Sequence, residues 1–117
     1  MITHDNDNGK IIVSTNVYHD IAGTAATNCF GVKGMAARSV KDGVYRLLRM
    51  ESARKGVRVE FHEDDTITIH LHIIVDYGVN ITAVCDSIIS EVRYVVTNTT
   101  GTVVRDVNVY VDSLSVG

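Results

Sequence analysis

The sequence predicts an α+β fold: a single two-layer domain with a mixed β-sheet and helices packed mainly on one face. Three observations carry that prediction. Residues 57–62 and 66–75 alternate apolar with polar side chains, the period of a half-buried strand. Ile81, Val84, Cys85, Ile88, Val92, Val95 and Val96 fall on one stripe of a helix. Glycines at 31, 56, 78 and 101 punctuate the chain between periodic segments. The expected order is β-α-β-(α)-β-β-α-β.

The elements follow in chain order. Residues 1–8 are polar and acidic and read as a flexible N-terminal tail, leaving 9–117 as the domain. Residues 10–14 are rich in β-branched side chains and read as a strand. Ser14 or Thr15 can then cap a helix over 16–29, with Val17, Ile21, Ala25 and Cys29 on one face and Ala22 beside them. Gly31 ends that helix, and a strand over 32–38 follows. Ser39 can cap a second, short helix over 40–50, weakened by Gly43. Next comes a hairpin around Glu63-Asp64-Asp65. Opposed residues must share a face, so residue 62 opposes 66 or residue 61 opposes 67. Thr66, Thr68, His70 and His72 then face solvent, opposite Ile67, Ile69, Leu71, Ile73 and Val75. Asn80 or Thr82 caps a helix over 80–99, Gly101 closes it, and a strand over 103–111 ends the domain with Val107, Val109 and Val111 inward. If the strands flanking the last helix are parallel, the crossover is right-handed.

Composition narrows the function. A chain of 117 residues with 45% hydrophobic side chains can bury a core without staples. No apolar run reaches the ~18 residues that span a bilayer, and the N-terminus lacks secretory character, so a cytoplasmic protein is expected. Cys29 and Cys85 lie in apolar helical patterns and read as buried, reduced thiols. The net charge of −3 hides an imbalance. Residues 33–58 hold eight cations and two anions, a balance of +6, whereas the rest of the chain stands at −9. Lys33, Arg38, Lys41, Arg46, Arg49, Arg54 and Lys55 are therefore the candidate residues for binding a partner or an anionic surface.

Familiar catalytic and cofactor patterns are missing. In Gly31-Val32-Lys33-Gly34-Met35 the lysine lies between the glycines and the segment follows a helix, which removes the phosphate-binding loop and the dinucleotide fingerprint. Gly31-x-x-Gly34 does match the bare GXXG of a KH loop, as it also matches a tight helix-to-strand return. His70 and His72 lie about 7 Å apart on one strand face, without a third ligand at zinc spacing. No nucleophile elbow is present, and Glu63-Asp64-Asp65 reads as a solvated turn. The expectation is a non-enzyme with no catalytic residue, metal, cofactor or small-molecule substrate.

Several pieces taken in order carry a resemblance. They are Gly9-Lys10-Ile11, Ile21-Ala22-Gly23-Thr24-Ala25-Ala26, Gly31-Val32-Lys33-Gly34-Met35-Ala36, Lys41-Asp42-Gly43, Ile73-Ile74-Val75-Asp76-Tyr77-Gly78-Val79-Asn80-Ile81 and Val107-Asn108-Val109-Tyr110-Val111. Across residues 9–113 the chain resembles the alkaline shock protein family of Gram-positive bacteria, the envelope stress response group. Gly31, Gly34, Met35, Tyr77 and Gly78 carry its signature. The resemblance implies a non-catalytic scaffold or adaptor in envelope stress and homeostasis. It also implies self-association or a protein partner, with peripheral membrane attachment through that partner. A small nucleic-acid-binding module using the basic 33–58 window is the alternative, although nucleic acid is the less expected partner.

Overall fold

The computed structural model describes residues 2–38, 45–47 and 56–116. The elements are β1 (Ile2–Asn6), β2 (Gly9–Val13), α1 (Thr15–Thr27), β3 (Val32–Arg38), β4 (Tyr45–Leu47), β5 (Val57–Phe61), β6 (Thr66–Asp76), α2 (Ile81–Thr100) and β7 (Val103–Ser115). This is the predicted α+β class. The sheet is mixed, because β7 runs parallel to β6 whereas β3 and β5 run antiparallel to it.

Strand β6 organises the sheet. One side pairs with β7 from Thr66↔Val103 to Asp76↔Ser115. The other side is shared: β5 takes the N-terminal half, from Phe61↔Ile67 to Val57↔Leu71, and β3 takes the C-terminal half, through Met35↔Ile73 and Val32↔Val75. The inward residues of β6 (Ile67, Ile69, Leu71, Ile73 and Val75) have no exposed surface. They meet Tyr18, Ala22 and Ala26 of α1 and Val84, Ile88, Val92 and Val96 of α2. Each such aliphatic side chain contributes about 1.5–3 kcal/mol on burial.

The two helices lie side by side and antiparallel on that face. The Tyr18 hydroxyl, early in α1, is 2.8 Å from Thr102 Oγ1, just past α2. Cys29, just past α1, meets Ser87 and Glu91 of α2. Asn80 caps α2 with its side-chain oxygen, which accepts from the Ala83 amide at 3.0 Å. Ser14 occupies the N-cap of α1 without a side-chain cap bond.

Five expectations are corrected. Residues 1–8 are not simply a tail: β1 pairs with β2 from Ile2↔Val13 to Asn6↔Gly9, forming a separate two-stranded ribbon around Asp7-Asn8. The short helix expected over 40–50 is a strand at Tyr45–Leu47, where Ala36↔Leu47 and Arg38↔Tyr45 pairing outweighs the helical spacing; its other residues lie outside those described. The core face of α1 is turned from the predicted stripe, with Tyr18 and Ala26 buried and Val17 exposed, because the buried Tyr18 hydroxyl has a partner in Thr102. Strand β7 continues to Ser115 because β6 pairs with it to Asp76. Finally, the polar face of β6 is covered in its middle: Thr68 is 6% and His70 7% exposed, beneath side chains from β5 and β7, whereas the His72 side chain is 42% exposed. The hairpin takes the expected register, with Phe61↔Ile67 its last strand pair and the His62 amide donating to the Thr66 carbonyl at 2.9 Å.

Candidate interaction surfaces

The signature residues build the return from α1 into the sheet. Gly31 adopts φ +88°, and a Cβ there would stand 2.8 Å from Val84 Cγ2. Only glycine lets the chain turn this close to α2. The Gly31 carbonyl accepts from the Asp76 amide at 2.9 Å, tying the turn to the end of β6. Gly34 is buried in β3 beside a register shift and opposite Ile74. Met35 is fully buried in the core. Tyr77 is exposed, and Gly78 turns the chain toward α2 at φ +91° with open space around it. Gly31-x-x-Gly34 is thus a buried helix-to-strand return. A KH clamp presents its GXXG loop to the backbone of four nucleotides.

The candidate cations are placed only in part. Lys33 is exposed on β3. Arg38 and Arg46 lie on the β3–β4 ribbon, where Arg38 pairs with Tyr45 and Arg46 with Ala37. Lys41, Arg49, Arg54 and Lys55 lie outside the described residues. Arg58, at the end of the basic window, is exposed and sits 3.5 Å from Glu60.

Two features escaped the sequence reading. The first is a groove of about 350 Å³ between α1 and α2. Ile21, Ala25 and Val95 form its apolar floor, with Asp20, Asn28 and Glu91 at its exposed rim. Ala25 is buried in the core and Ile21 and Val95 pack against it, as their stripes predict, and the same three side chains also line the groove. Burial first, and Glu91 second, push the Cys29 thiol upward, and burial followed by Asp86 does the same to Cys85. Both cysteines are half-buried free thiols, and these shifts oppose thiolate formation.

The second feature is a polar array across β5, β6 and β7. His70 Nε2 donates to Glu60 Oε1 at 2.8 Å, and its Nδ1 lies 3.1 Å from the Tyr110 hydroxyl. His72 Nδ1 donates to Asp112 Oδ2 at 3.0 Å. The Tyr110 ring stacks on both imidazoles, at centroid distances of 5.9 and 4.6 Å. Carboxylates and the phenol hold these histidines, and their bonds fasten neighbouring strands together. Among the described residues no group of three or more His, Cys, Asp or Glu side chains is placed to hold a metal ion. Nor does any described helix have the length and apolarity to cross a membrane.

The molecule is thus a small two-layer domain with a groove between its helices. Its sequence matches the model of the alkaline shock protein 23 family, described as having a cell envelope-related function, over residues 3–116. The chain belongs to that family. It is 39% identical over 109 residues to the uncharacterized protein YloU of Bacillus subtilis strain 168, covering 92% of this chain and 90% of the relative. It is 37% identical over 109 residues to the uncharacterized protein Spy1614 of Streptococcus pyogenes serotype M6, covering 92% and 89%. A second B. subtilis relative, the uncharacterized protein YqhY, is 31% identical over 103 residues, covering 88% and 75%. No solved structure matches the chain.

Proposed function

We propose that this protein is a non-catalytic scaffold or adaptor in cell-envelope stress response and homeostasis. It works from the cytoplasmic side by protein–protein association near the membrane. The observation that carries the reading is membership, across nearly the whole chain, of a family with a cell envelope-related function. The surface geometry supports it. The described polar clusters fasten strands, while the interhelical groove is an open surface suited to recognition. The basic window favours an anionic partner, but burial of Gly34 weighs against the nucleic-acid alternative.

Cross-linking in native cells, followed by gradient fractionation and identification of the linked chains, tests the proposal. The expected result is an assembly of defined composition that sediments with the envelope fraction. A free monomer with neither a protein partner nor membrane association would refute it.

A further inference from the structure

The groove between α1 and α2 carries a carboxylate at each end. The helices are antiparallel, with Tyr18 beside Thr102 and Cys29 beside Ser87 and Glu91, so their residues face each other in reverse order. On each helix the lining recurs every fourth residue, as Asp20, Thr24 and Asn28 on α1 and as Glu91, Val95 and Thr99 on α2. The groove therefore follows two turns of helix, about 12 Å. Asp20 stands at the Thr99 end and Glu91 at the Asn28 end, both exposed. Between them lies the apolar floor of Ile21, Ala25 and Val95. Among the described residues no lysine or arginine lines the groove. Arg93, two residues from Glu91, reaches instead toward the Arg105 carbonyl of β7, at 3.5 Å.

We propose that this groove binds an aliphatic ion with an ammonium group at each end, the chemistry of a linear diamine or polyamine. The methylene chain lies along Ile21, Ala25 and Val95, and the two ammonium groups meet Asp20 and Glu91. The Asn28 amide oxygen and the Thr24 and Thr99 hydroxyls are further acceptors along the rim. A volume of about 350 Å³ suits a ligand of that size. Selection is by length as well as charge. A short diamine reaches one carboxylate only, and a monoamine leaves the second carboxylate unanswered. The carboxylates are solvated, so each ion pair is worth a factor of only about two to five in affinity. Burial of the methylenes carries the rest. Binding needs no partner protein, so its outcome is independent of the adaptor reading.

The test titrates the full chain with 1,8-diaminooctane, read by amide NMR shifts, with octylamine and 1,4-diaminobutane as comparisons. The expected result is saturable binding, with the shifted amides confined to residues 20–28 and 91–99. The long diamine binds about two- to fivefold tighter than octylamine, which keeps the apolar chain but lacks one charge. It binds about tenfold tighter than 1,4-diaminobutane, which keeps both charges but lacks four methylenes and the reach. Added salt weakens the long diamine more than octylamine. Glu91→Gln and Asp20→Asn, both at exposed positions, each remove most of the advantage of 1,8-diaminooctane over octylamine. Circular dichroism confirms that each variant is folded, and if either is not, the three amines compared on the wild type decide alone. Equal affinity for 1,8-diaminooctane and octylamine overturns the proposal. So do shifts spread over the whole surface, or no saturation at millimolar ligand. Each of these outcomes leaves the adaptor reading standing.

Discussion

Gly31 and Gly78 form a matched pair that separates two costs of adding a methyl group. Both backbones are left-handed, at φ +88° and +91°. An alanine at either site meets the left-handed penalty of about 1–2 kcal/mol, partly offset by about 0.4–1 kcal/mol from a less flexible unfolded chain. At Gly78 nothing lies within 4 Å of the new Cβ, so Gly78→Ala costs about 1 kcal/mol. At Gly31 the Cβ falls 2.8 Å from Val84 Cγ2 and 3.5 Å from Val79 Cγ1. Val84 is buried in the core and cannot swing away, so overpacking adds about 1–3 kcal/mol. Gly31→Ala therefore costs about 2–4 kcal/mol. Val84→Ala alone costs about 2 kcal/mol in lost burial and cavity, but less beside Gly31→Ala, because the new methyl occupies vacated space. The coupling is about 1–2 kcal/mol. Urea unfolding followed by circular dichroism measures the four variants against the wild type. Equal costs at the two glycines, or strict additivity between Gly31→Ala and Val84→Ala, would refute the steric argument.

Three further expectations concern single contacts. Tyr18→Phe removes the buried hydroxyl bonded to Thr102 and costs about 1–2 kcal/mol in urea unfolding; a change below about 0.5 kcal/mol contradicts that role. Asn80→Ala removes the α2 cap and costs about 1 kcal/mol, with faster hydrogen exchange at the Ala83 amide as its local sign. The Thr66 hydroxyl first, and Arg105 second, hold the Asp64 carboxyl at about 2, below its ordinary 3.8. A folded value below the unfolded one stabilises above 3.8, and that contribution is lost as pH falls toward 2. Thr66→Val raises the Asp64 midpoint in a carboxyl NMR titration, and an unmoved midpoint contradicts the assignment.

What the sequence disclosed depended on how local the cause was. The β5–β6 hairpin was restricted by parity, because side-chain faces alternate and the turn is short: residue 62 with 66 and residue 61 with 67 belong to one register and differ only in loop length. Helix α2 was legible from its stripe, its Asn80 cap and Gly101, all within one segment. The β1–β2 ribbon was missed because Thr3, His4, Asp5 and Asn6 have no apolar alternation, although Asp7-Asn8-Gly9 is turn chemistry suited to a two-residue hairpin loop. Strand β4 was missed because Val40, Val44, Leu47 and Leu48 keep helical spacing, while the partner that makes residues 45–47 extended is β3. His70 reads as an exposed strand residue, since Glu60 and Tyr110, which cover and bond it, come from strands on either side. The groove was hidden for the same reason: that Ile21 and Val95 line a cleft as well as pack on the core depends on how two helices far apart in sequence meet. The candidate cations were legible as a charge pattern, and their placement on β3 and β4 was not.

The double duty of β6 bears on how the protein comes apart. Because β3, β5 and β7 each join the sheet through β6, no outer strand can keep its place once β6 leaves. The inner sheet and both helices then open as one cooperative unit, and the slowest-exchanging amides belong to β6 and the strand residues bonded to it. The β1–β2 ribbon hydrogen-bonds within itself and meets the body where His4 approaches Thr102 and where Val13 packs against the core. It can open without disturbing that unit. A protein built this way has two levels of stability along one short chain: a body that is intact or lost, and an N-terminal arm that opens while the body holds.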